Sequence, residues 1–155
     1  MMLFGILDLA QDPSGWLETG IVKYAPGAVS LYRGPMRESI RRRSPHLVPL
    51  PTSSNFTSFW EEEGWGRAWG IIVQSDELLE NLWRHFRRFL TVELPDGQRA
   101  LFRFYDPRIL PAYLRSCNSR ELAMWFSGVK TFRVERASRA DYQEFAFNGD
   151  KLLES

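Results

Sequence analysis

The stretch LFRFYDPRIL at residues 101–110 sets Arg103, Asp106 and Arg108 close together, with His85, Arg87 and Arg88 shortly upstream in WRHFRRFL. Guanidinium and carboxylate groups in this pattern offer paired hydrogen bonds rather than proton transfer, because arginine stays charged and holds a neighbouring carboxylate in its charged form. Asp106 also has a local role before Pro107. Its carboxylate can accept orphan backbone N–H groups of a helix that proline opens without losing a needed donor. Arg103 asks for more. If Phe102 and Phe104 share one face of a strand, Arg103 lies on the other with Leu101 and Tyr105, and a guanidinium among such neighbours requires a carboxylate. Asp8, on an apolar segment near the N-terminus, and Asp106 itself are the candidates. The expectation is a polar network of Asp8, Arg103 and Asp106, either a structural ion pair or the support of a partner-binding surface. Arg87, Arg88 and Arg108 form a second expectation: a basic patch where the longest helix meets the turn at Asp106, either compensating the helix end or docking a partner.

Catalytic alternatives find little in the chain. There is no GxSxG elbow, Walker loop or GxGxxG. His46 and His85 lie in unrelated segments without an HExxH pattern, and Cys117 has no second thiol beside it, so neither a metal site nor a cofactor is expected. Glu61, Glu62 and Glu63 are consecutive; on a helix they point in different directions and read as a solvated face. Pro95-Asp96 lacks the acidic-x-lysine partner that a nuclease strand would supply. Trp83, Arg84, Arg87 and Arg88 interleave aromatic and basic groups, as a single-strand platform would. Trp83, however, shares an apolar stripe with Leu79 and Phe86, so it reads as core, and nucleic acid is not an expected partner.

The elements that would position these residues can be read from periodicity and punctuation. Leu3–Leu9 is a short apolar run closed by QDPSG, a buried strand; a brief helix follows near 13–19 and a second strand over Val29–Tyr32. Pro35 opens a helix whose last turn carries Arg41, Arg42 and Arg43. Leu47–Leu50, bracketed by prolines, fits only a short or edge strand. A helix from Ser54 or Asn55 carries Phe56, Phe59 and Trp60 and ends at Gly64, and Ala68–Val73 is the central-strand candidate. The longest helix runs from about Ser75 to Phe89. A hairpin then joins 92–94 to 99–105 through Asp96-Gly97, and helices follow at 107–116 and 119–126. Lys130–Glu135 alternates as a strand, Phe132 and Val134 opposite Arg133 and Glu135. From Ala137 the tail is less regular, packed by Tyr142, Phe145 and Phe147, with a fraying end. Strands interspersed with helices, plus one firm hairpin, predict a single-domain α/β fold with a mixed sheet of about five to seven strands and flanking helices.

The 155 residues suffice for one domain with a real core, and 44% hydrophobic and 14% aromatic content argues against disorder. A formal charge of +1 provides no global field toward nucleic acid or an anionic membrane, so any basic site must be local. The lone Cys117 excludes an internal disulfide and suits a reducing compartment. The opening MMLFGILDLAQDP lacks a basic segment and a long apolar run, so neither a signal peptide nor a membrane span is expected, and the expected location is cytoplasmic.

The combination HFRRFLTVELPDGQRALFRFYDPRIL resembles the type VI secretion effector-adaptor family, chaperones that couple toxic effectors to the VgrG spike. GILDLAQDP at 5–13, VSLYRG at 29–34, SPHLVPL at 44–50 and GWGRAWGIIVQS at 64–75 follow the same family in order, so the resemblance covers most of residues 3–112. It implies a non-enzymatic adaptor whose partners are a secreted effector and the VgrG spike. It also implies an adaptor core over 1–112, with 113–155 a C-terminal extension on the same domain, a reduced version of the family's variable helical lobe. Without the resemblance, the residues describe an α/β protein-interaction module, dimerising or regulatory, unrelated to secretion.

Overall fold

A computed structural model describes residues 1–155. In chain order its elements are β1 (Met2–Asp8), a 3-10 turn, α1 (Trp16–Tyr24), β2 (Val29–Ser30), α2 (Glu38–Arg41), β3 (Pro45–Leu50) and α3 (Phe56–Phe59), which runs into a π-helical turn over Trp60–Gly64. There follow β4 (Gly70–Ser75), α4 (Leu79–Arg87), β5 (Thr91–Glu93), β6 (Arg99–Leu101), α5 (Leu110–Ser116), α6 (Ser119–Trp125), β7 (Thr131–Glu135), β8 (Tyr142–Phe147) and β9 (Leu152–Glu154). The α/β class and the strand count are as the sequence predicts: one sheet has seven strands in the order β2-β3-β1-β4-β7-β8-β9.

Every pairing in that sheet is antiparallel, where the sequence suggested a mixed one. The connecting helices do not carry the chain back to start a parallel neighbour. The β5–β6 hairpin stands apart as its own two-stranded sheet. The proline-bracketed part of β3 is an edge as its prolines suggested: β3 pairs β1 along its length, but β2 covers only His46 and Leu47, so Pro49 has no outer neighbour.

Alternation along the strands divides the core between the two faces. Phe4 and Ile6 of β1, Ile71 and Val73 of β4, and Phe132 and Val134 of β7 join α4, α5 and α6 in one cluster. Leu7, Val48, Leu50 and Ile72 face the other way, onto Leu17 and Ile21 of α1 and Phe56 and Trp60. The result is three layers, helices on both faces of one sheet. Asp8, two residues beyond Ile6, therefore emerges on the face of α4–α6.

Residues 113–155 pack on the same domain as the rest of the chain. They supply β7, β8 and β9, and Leu114, Leu122, Trp125, Phe132 and Phe145 belong to the larger cluster. The tail after Ala137, expected to be less regular, forms β8 and β9. Asn148-Gly149 turns between them, Gly149 taking a positive φ of 95° and the Asn148 side chain accepting from the Asp150 and Lys151 amides.

Candidate functional site

The Arg103–Asp106 turn is anchored from both sides. β6 ends at Leu101, and the Phe102 amide donates to the Leu90 carbonyl at 2.7 Å, closing the hairpin against the end of α4. The alternation expected over 101–105 therefore stops: Phe104 and Tyr105 are both buried in the same cluster, while Leu101 is exposed. Beyond them the Asp106 carbonyl accepts from the Ile109 and Leu110 amides, and its Oδ1 accepts from the Arg108 amide at 2.8 Å. Asp106 thus caps a turn over 107–109, and the helix itself begins at Leu110, later than Pro107 suggested.

Arg103 reaches the two carboxylates that the sequence offers it. Its Nη2 lies 2.9 Å from Asp8 Oδ2 and 3.5 Å from Asp106 Oδ2. Both aspartates are buried, at 3% and 2% exposure, and Asp8 Oδ1 also accepts from the Ala10 amide at 3.0 Å. Arg108 completes the arrangement. Its Nε and Nη2 donate to the two oxygens of Asp106 at 2.9 and 2.7 Å, the bidentate geometry that guanidinium and carboxylate favour. Burial opposes the charge on Asp106, but these donors outweigh it and hold the carboxyl below the usual carboxylate range. Tyr105, expected on the face of Arg103, is instead buried in the larger cluster. Burial first, then Asp8 and Tyr32, push its phenol up, so it stays neutral beside the two aspartates.

The three arginines proposed as one patch are not brought together. Arg108 is bound to Asp106. Arg87 donates from Nε to the Leu31 carbonyl at 3.0 Å and lies over the Trp83 ring at 4.7 Å, lining a groove with Tyr32, Met36 and Leu101. Arg88 turns the other way, its Nη2 lying 3.0 Å from His85 Nδ1, in a hollow with Glu77, Arg84 and Gly128. Adjacent helical residues diverge by about 100°, which separates Arg87 from Arg88. Trp83 is partly buried against the larger cluster, its indole N–H donating to the Ser30 carbonyl at 2.8 Å.

Both histidines are structural. His85, buried, contacts the Trp125 carbonyl through Nε2 at 2.9 Å and Arg88 through Nδ1. A carbonyl on one nitrogen and a guanidinium on the other require the neutral ring with the proton on Nε2. His46 Nδ1 contacts the Ser44 carbonyl at 3.0 Å. Burial lowers both pKa values. For a lowered folded pKa the unfolded chain takes the proton first, so stability is intact above about 6.5 and declines as pH falls from there through the folded value. The expected result is a melting temperature lower at pH 5.5 than at pH 7.5, with the difference reduced in His85→Gln. Asp12 and Asp106 do not confound this window, because both carboxyls titrate below the ordinary range. An identical melting temperature at the two pH values would refute the neutral-ring assignment.

Cys117 is half-buried, its Sγ 3.3 Å from the Tyr113 carbonyl, and burial pushes its thiol up, away from reactive thiolate character. No three His, Cys, Asp or Glu side chains are grouped to hold a metal ion, and no helix is long and apolar enough to cross a membrane.

No curated protein and no solved structure matches this chain. A family model does, over residues 3–124, a span that includes Asp8 in β1, the whole Arg103–Arg108 turn, and α6 beyond the expected boundary at 112. The protein therefore belongs to the family described as Domain of unknown function (DUF4123).

Proposed function

We propose that the protein is a non-enzymatic adaptor that binds a type VI secretion effector and helps load it onto the VgrG spike. The observation that carries this reading is the mutual saturation of the charges in its most distinctive motif. Arg103 and Arg108 are bound to Asp8 and Asp106, and the two aspartates are buried beneath them. Such a network tethers the hairpin and the following turn to β1, as a scaffold that presents a fixed surface requires. The resemblance of GILDLAQDP and LFRFYDPR to the effector adaptors gains weight from this geometry, since the two stretches meet through Asp8 and Arg103 although 95 residues separate them. Adaptor work needs shape and apolar anchors rather than a cleft with a poised acid or base.

The test is genetic and biochemical. Deleting the gene in its native host is expected to abolish secretion of the effector encoded beside it while leaving the spike in place, and the purified protein is expected to retain that effector through size exclusion. Normal secretion from the deletion strain, together with no co-purification, would refute the adaptor reading.

A further inference from the structure

We propose that the groove between the β2–α2 connection and the base of the β5–β6 hairpin docks an amphipathic segment of the cargo effector, an apolar stretch flanked by aspartates or glutamates. The proposal rests on the adaptor reading and specifies where and by what chemistry the cargo is held.

The groove, about 330 Å³, has walls from Tyr32, Met36 and Ile40 on one side and Leu90 and Leu101 on the other. Ile40 is 47% exposed and Leu101 52%. Large aliphatic side chains clustered at one place on a surface mark an interaction site more than scattered ones do. The hairpin supports the same conclusion. It has three residues in each strand and pairs with no strand of the main sheet, and isolated two-stranded ribbons are marginal in water. A partner lying against its base would bury the side chains that it now leaves to solvent.

Charge selects the partner. Arg33 and Arg87 line the groove and neither forms an ion pair, while Arg37 beside it makes no side-chain hydrogen bond to the protein. From Leu31 to Arg43 there are five arginines and one acid, Glu38, which is already engaged by Arg41 and Arg42. Arg87 is pre-oriented: its Nε is held by the Leu31 carbonyl and its guanidinium lies on Trp83, which leaves its terminal amino groups free of any carboxylate. A preorganised guanidinium with unpaired neighbours at an apolar rim suits acidic side chains flanking apolar anchors. A second copy of this chain fits poorly, because self-pairing would set arginine against arginine. Nucleic acid fits poorly too, since the groove offers one aromatic ring, Tyr32, for stacking and Trp83 is already covered by Arg87.

The test is co-purification of the full chain with the effector encoded beside it, using Ile40→Asp and the pair Arg33→Glu with Arg87→Glu, against Val22→Asp as an exposed control on α1. Circular dichroism melting establishes that each variant is folded. The groove variants are expected to weaken capture by about tenfold or more, and Val22→Asp to leave it unchanged. Hydrogen exchange on the complex is expected to protect an effector segment of apolar residues flanked by acids. Capture unaffected in folded groove variants would overturn the groove while leaving the adaptor reading in place; failure of the wild-type chain to capture the effector would overturn both. A protected effector segment that is basic would also overturn the proposal. So would loss, in the same variants, of self-association or of binding to single-stranded DNA in place of effector capture.

Discussion

Arg103→Ala is expected to lower the melting temperature by roughly 8 °C, while Arg42→Ala changes it little. The difference follows from what each arginine leaves behind. Arg42 is exposed and contacts Glu18 at 3.4 Å and Glu38 at 3.6 Å, both open to water that would replace it, so the pair contributes about 0–1 kcal/mol. Arg103 faces two buried carboxylates, and its removal leaves Asp8 with only the Ala10 amide. Stranding a buried charge costs about 3 kcal/mol, and for a chain of this size each kcal/mol moves the midpoint by roughly 2–4 °C. Arg103 is itself 37% exposed, so water entering the vacated space softens the loss below that of a fully buried pair. Adding Asp8→Asn to Arg103→Ala is expected to recover part of the stability, because the charge left unpaired is then removed. Equal melting temperatures for Arg103→Ala and Arg42→Ala would mean that Asp8 is solvated without its partner and that the network does not hold the turn.

The legible parts of this fold were those where a residue type admits few environments. An arginine among aromatic residues needs a carboxylate, and Asp8 and Asp106 were the available ones near apolar segments; the contacts of Arg103 follow that logic. Alternation in Lys130–Glu135 correctly placed Phe132 and Val134 on the core side and left Arg133 to pair with Glu144 across β7 and β8. Other features depend on the whole chain. Whether neighbouring strands run parallel or antiparallel is decided by where the helices pack, which no single segment specifies. The alternation over Leu101–Tyr105 was misleading because hairpin pairing ends at Leu101, after which Phe104 and Tyr105 turn inward together. Two features had unused signals. Asn148-Gly149 between aromatic and aliphatic runs is a hairpin signature, and it makes the turn between β8 and β9. Arg87 and Arg88, consecutive on a helix, could not share one patch by helix geometry alone. The groove beside Arg87 was hidden for a different reason: Ile40 and Leu101, 61 positions apart in sequence, become neighbours through tertiary contacts only.

Gly70→Ala is expected to be the most damaging single change, leaving either no soluble protein or one whose melting temperature is lowered by roughly 8–16 °C or more. Gly70 opens β4 opposite Leu7 of β1, in the middle of the sheet, and a Cβ there would lie 2.0 Å from the Ile6 carbonyl oxygen and 2.9 Å from Leu7 Cα. Backbone cannot yield as a flexible side chain does, so the two central strands must part, with losses on the order of 4 kcal/mol or more from ladder and packing together. Gly27→Ala is the contrast, its nearest neighbour being Pro49 Cγ at 3.8 Å, ordinary contact. The clash also reaches the Arg103 turn. The Asp8 amide donates to the Trp69 carbonyl at 2.8 Å, immediately before Gly70, so separating β1 from β4 withdraws Asp8 from Arg103. Combining Gly70→Ala with Arg103→Ala should then be less damaging than the sum of the two, because the first change already disrupts what the second removes. Full additivity would show that Asp8 holds its place independently of the β1–β4 approach, and a near-wild-type melting temperature for Gly70→Ala would show that the strands need no close contact at this point.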